Sequence, residues 1–119
     1  MHVRRVLPLL AIATFASSCT LLDVTRSGNG LALAARPVGC SVEFFRTRAP
    51  EQPYDEVATF HWQSTGMAGP DKAQVEMRDK ACELGADAVI VNRDFVPGTQ
   101  HTTAIMTGTA VKYRAAKAP

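Results

Sequence analysis

The first 19 residues limit this chain more than any other feature. A basic pair, Arg4-Arg5, precedes an apolar run over residues 6–16, then two serines and Cys19. A basic start, an apolar middle and small residues before a cut are the marks of an export leader. The apolar run is too short to span a bilayer, which takes about twenty residues. Loss of the leader leaves about 100 residues, enough for one small domain around one core. That domain would fold in an oxidising compartment with two cysteines, Cys40 and Cys82, beyond Cys19.

Ala16-Ser17-Ser18-Cys19 resembles a bacterial lipobox, in which the cysteine is acylated and becomes the new N-terminus. The expected division is a signal peptide over 1–18, an acylated Cys19 with a flexible tether over 19–39, a folded domain over 40–113 and a disordered tail over 114–119. More than one acyl chain gives stable membrane attachment. Thr20 follows Cys19, where an Asp would mark inner-membrane retention in enteric bacteria. The expected location is therefore the outer membrane, with the domain facing the periplasm. The alternatives are a plain secretory signal cut elsewhere and a membrane anchor.

Charge excludes one class of partner. The 13 Lys and Arg become 11 once Arg4 and Arg5 leave with the leader, against 11 Asp and Glu. A balanced chain without a clustered basic face gives no footprint for nucleic acid. Cys40 and Cys82 form an even pair, for which a disulfide is the default outside the cytoplasm. Two free thiols or a metal site are the alternatives, although two thiolates without a third close ligand make a poor zinc site.

The periodicity predicts an α+β domain, β-β-α-β-β, with about four strands in a mixed sheet and one helix packed on one face. Residues 41–46 carry β-formers between Gly39 and Pro50. Residues 54–63 alternate, with Tyr54, Glu56, Ala58, Phe60 and Trp62 on one face and polar residues largely on the other. A helix opens at Pro70 and Asp71, carries a core stripe of Ala73, Met77, Ala81 and Leu84, and ends before Gly85. Cys82 falls off that stripe, on a flank with Val75. Residues 87–94 and 103–113 complete the strands, with Gly108 signalling a bulge or a close backbone approach. A strand–helix–strand unit is right-handed where its strands are parallel neighbours. The tether holds Leu21, Leu22, Leu31 and Leu33, so part of it could pack on the domain or add a strand. One helix covers one face only, yet the last two strands are apolar on both faces. Something else must cover the second face: the tether, a second copy or another envelope protein.

Leu84-Gly85-Ala86-Asp87-Ala88-Val89-Ile90-Val91 resembles the Gly-Ala-(Asp/Asn)-Ala-Val junction of YbjQ-like domains. It is similar also to the outer-membrane lipoproteins of the Rcs envelope-stress sensor type. Thr107-Gly108-Thr109-Ala110 resembles the last strand of those sensors. Pro53-Tyr54-Asp55-Glu56-Val57 resembles the strand start of small lipoproteins with the same junction. The likeness spans residues 50–113 and implies a fold and an envelope location, with no catalytic residue. Those sensors carry two domain disulfides, whereas this chain has no cysteine after Cys82.

The residues with chemical potential are few. His61 beside Trp62 points away from it on a strand, and His101 lies in a loop; a metal pair between them has no support in their spacing. Asp87 and Asp94 flank one strand and suit ion pairs with Arg93 or Lys80, too far apart for a carboxylate dyad. No nucleophile–base set or phosphate loop is present. The expectation is a non-enzymatic, lipid-anchored envelope protein without cofactor or metal, acting as a protein-interaction or stress-sensing module. The alternative is a periplasmic small-ligand or metal-binding oligomer of the YbjQ-like kind.

Overall fold

The computed structural model describes residues 20–27 and 33–115. In chain order the elements are β1 (Thr20–Arg26), β2 (Glu43–Phe45), β3 (Tyr54–Ser64), α1 (Pro70–Glu83), β4 (Ala88–Val96) and β5 (Ala104–Tyr113). They form an α+β fold with five strands in the order β1-β3-β5-β4-β2. Only the β2–β4 pair is parallel. β3 and β4 run the same way, but β5 lies between them, so the crossover through α1 joins strands that are not neighbours.

The fifth strand corrects the expectation of about four. Residues 20–26, read as tether, pair along their whole length with β3, from Thr20↔Ser64 to Arg26↔Ala58. Leu22 and Val24 of β1 pack against the core while Leu21, Asp23 and Thr25 are exposed, an alternation of period two. The described fold therefore includes Thr20–Arg26 in addition to the domain expected from Cys40. At the far end Arg114, the first residue of the expected tail, is bonded to the domain. Arg114 donates its amide to the Pro53 carbonyl and its guanidinium to Asp55.

α1 lies on one face of the sheet. Pro70 opens it, Asp71 suits its positive end and Lys80 its negative end. Ala73, Met77 and Ala81 are fully buried against Phe60, Trp62, Val89, Met106 and Ala110. Leu84, the fourth member of the stripe, is only partly buried and packs at the margin. Gly85 ends the helix with φ +77°, and a Cβ there would meet the Ala34 carbonyl oxygen at 2.5 Å. Gly108 lies under the helix in β5. A Cβ there would stand 2.8 Å from Val89 Cγ1 and 3.2 Å from the Ile90 carbonyl oxygen, which accounts for glycine in mid-strand.

One end of the second face is covered by the chain itself. Phe45, Ala88 and Val111 are buried there, flanked by Tyr54, Ile90 and Tyr113. Pro50, in the loop between β2 and β3, is also buried and lines one depression with Phe45 and Tyr113. The chain's own loop thus encloses one end of this face. The rest is mostly polar. Asp23, His61, Thr107 and Arg93 form one row across four strands, and Thr25, Thr59, Thr109 and Ile90 form the next. Asn92 donates to the Thr109 hydroxyl at 2.8 Å.

Gly108→Ala should destabilise the domain by about 1–3 kcal/mol, because Val89 is a buried β-branched residue that cannot easily yield. Denaturant unfolding with the disulfide intact measures this. An unchanged midpoint would show that Val89 and the Ile90 carbonyl do not crowd Gly108 this closely.

Candidate functional site

Cys40 and Cys82 are joined in a disulfide, with their Cα atoms 5.9 Å apart. The bond ties residues 33–40 to the flank of α1. That segment carries Arg36, whose amide donates to the Cys82 carbonyl and whose guanidinium donates to the Ala86 carbonyl, both at 2.8 Å. This strap changes the expected position of Cys82. The cysteine is fully buried, whereas Val75, placed on the same flank by the sequence, is largely exposed. Helical spacing alone puts Cys82 away from the sheet; the crossing strap buries it.

The Gly-Ala-Asp-Ala-Val junction gathers the next cluster. Gly85 turns beneath the strap, and Ala86, Ala88 and Val89 are fully buried. Between them Asp87 accepts from the Tyr113 amide at 2.8 Å and from Lys112 Nζ at 3.2 Å, with Arg36 Nη1 at 3.7 Å. Asp87 therefore binds the strap and the end of β5 to the start of β4. Asp94 pairs instead with Arg46, whose guanidinium also reaches Gln74 on α1. Neither aspartate uses Arg93 or Lys80; Lys80 pairs with Glu83 on its own helix. Tyr113 has its phenol pKa pushed up by burial, helped by the Glu43 carboxylate.

A third cluster joins β1 to the core. Trp62 is fully buried, and its indole N–H donates to Glu76 Oε2. The other carboxylate oxygen of Glu76 accepts from the Thr20 hydroxyl at 3.0 Å. A single carboxylate on α1 thus holds β3 and the first residue of β1. Beside it lies a cleft of about 590 Å³ between β1, α1 and the strap, lined by Leu22 and Val38 and by Glu76, Asp79 and Lys80.

The two histidines stay apart in role. His61 is exposed on the open sheet face, opposite Asp23 and Thr107. His101 is exposed in the β4–β5 loop, which is knit by bonds among Thr99, Thr102 and His101. Among the described residues no three His, Cys, Asp or Glu side chains gather as metal ligands, and no helix is long and apolar enough to cross a membrane. Cys19 lies outside the described residues. The sequence reading missed the Glu76 link. Its one signal was a buried tryptophan, whose N–H requires an acceptor.

No family model matches this chain, and no curated protein matches it. Among solved structures it is similar to a Francisella virulence factor, FvfA, with a TM-score of 0.56 and 13% identity. The match covers 76% of this chain and 96% of that one. At this identity the likeness establishes a shared fold.

Replacing both Cys40 and Cys82 by Ser should cost about 2–4 kcal/mol, given the 42-residue separation they close. The loss is read from the denaturation midpoint. Equal stability with and without the bond would show that the strap is held by Arg36 and Asp87 alone.

Proposed function

We propose that this chain is a non-enzymatic envelope protein, anchored by lipid on Cys19 at the outer membrane and facing the periplasm. It presents a small α+β module that binds another envelope protein or a second copy of itself, in the manner of a stress-sensing or interaction domain. The observation that carries the reading is the leader: Arg4-Arg5, the apolar run over 6–16 and Ala16-Ser17-Ser18-Cys19. The disulfide between Cys40 and Cys82 accords with an oxidising compartment.

The partner surface in this reading is the open sheet face. Its rows from Asp23 to Arg93 and from Thr25 to Ile90 offer hydroxyl, imidazole and charged groups. A surface of that composition suits a polar, hydrogen-bonded interface rather than an obligate apolar one.

Growth with labelled palmitate should place label on the wild-type protein and none on Cys19→Ala. Photo-crosslinkers at Thr59 and Thr107 in intact cells should then capture an envelope protein or a dimer. Label retained in Cys19→Ala would contradict the anchor. Adducts formed only from positions remote from the open face would contradict the partner surface.

A further inference from the structure

We infer that the end of the domain formed by the start of β1, the 65–69 loop and the 97–103 loop lies against the lipid surface, so that the strands rise from the bilayer. The inference rests on the lipid anchor proposed above and adds the orientation of the domain and the surface that touches lipid.

The length of chain between anchor and fold comes first. Cys19 is joined by one peptide bond to Thr20, and consecutive Cα atoms lie about 3.8 Å apart. Thr20 is already paired with Ser64 and bonded to Glu76. No spacer separates an acylated sulfur from a strand held in the core. The domain therefore cannot stand off from the membrane, and the end holding Thr20 is brought to it.

The chemistry of that end agrees. β1, β3, β5 and β4 contribute Leu21, Gln63, Ile105 and Val96 to one row across the sheet. Leu21 is 48% exposed, Val96 38% and Met67, in the adjacent loop, 100%. These are three of the five exposed large hydrophobic side chains among the described residues, and all three lie at the end where Thr20 sits. The segments there, 20–22, 64–70 and 95–103, contain no Lys, Arg, Asp or Glu. One row higher, about 7 Å along the strands, Asp23 and Arg93 appear; Asp94, paired with Arg46, lies between that row and Val96, and Glu76 is spent on Thr20 and Trp62. Asp71 and Lys72 flank the rim in the first turn of α1. The opposite end is charged, with Arg26, Arg48, Glu51, Asp55, Lys112 and Arg114. An apolar, uncharged rim one row deep matches the headgroup–acyl boundary, into which interfacial elements sink by about 5–10 Å. With Lys72 matched by Asp71 at its flank and no basic cluster, the contact needs no anionic lipid.

The test uses the mature acylated protein purified from membranes. Met67→Cys and, separately, Gln100→Cys are labelled with an environment-sensitive fluorophore, with Gln52→Cys at the charged end for comparison. Each protein is placed in phosphatidylethanolamine–phosphatidylglycerol vesicles with or without nitroxide-bearing lipid. The probes at 67 and 100 should shift to the blue and lose emission to the nitroxide, equally at low and high salt, while the probe at 52 keeps its emission. Equal quenching at all three positions, or quenching at 52 alone, overturns the orientation. A blue shift that grows with protein density and ignores the nitroxide assigns the rim to a second copy and likewise overturns it. Intact mass separates the two levels: a lipidated chain with unquenched probes removes the orientation alone, and a chain without lipid on Cys19 removes the anchor as well.

Discussion

The carboxylate of Glu76 is the point on which the arrangement depends. A carboxylate accepts only, through two oxygens. Here one oxygen takes the buried indole N–H of Trp62 and the other takes the hydroxyl of Thr20. Without Glu76 the indole donor would be left unsatisfied in the core, at about 1–3 kcal/mol. The same side chain ties the first residue of β1 to the helix. A helix residue thereby helps hold Thr20–Arg26 as the edge strand of a sheet, with Leu22 and Val24 facing the core.

On its other flank the helix is held by the strap. The Cys40–Cys82 bond, the Arg36 contacts to Cys82 and Ala86, and the Asp87 cluster lie toward the end of α1 remote from Thr20. The two ends of the molecule so differ in chemistry. One carries the junction, the disulfide and most of the ion pairs. The other is an uncharged rim of Leu21, Val96 and Met67 beside the first residue of β1. Between them the open face displays threonines, His61 and Asn92.

Much of this was legible in the sequence, and the exceptions share a cause. β3 shows itself by clean alternation, α1 by Pro70, the Ala73–Met77–Ala81 spacing and Gly85, and the single bridge by the even pair of cysteines. Gly108 announced a close approach, and Val89 supplies it. β1 was hidden because its partner lies far along the chain, Leu22 pairing with Trp62, and seven residues offer a weak alternation. The burial of Cys82, the choice of Arg36 and Lys112 by Asp87, and the cover over Phe45 by the Pro50 loop are all contacts between distant segments. Local periodicity carries no record of them. The acceptor for Trp62 was implied by chemistry but not by position.

The central claim is that the chain is folded from its first residue after Cys19. Hydrogen exchange of the purified protein, followed by mass spectrometry of a peptide covering Thr20–Arg26, addresses it directly. The β1 amides bonded to β3 should exchange in the same slow class as those of β3 and β5. Complete exchange of that peptide within seconds, while β3 stays protected, would make residues 20–26 a free tether and contradict the account.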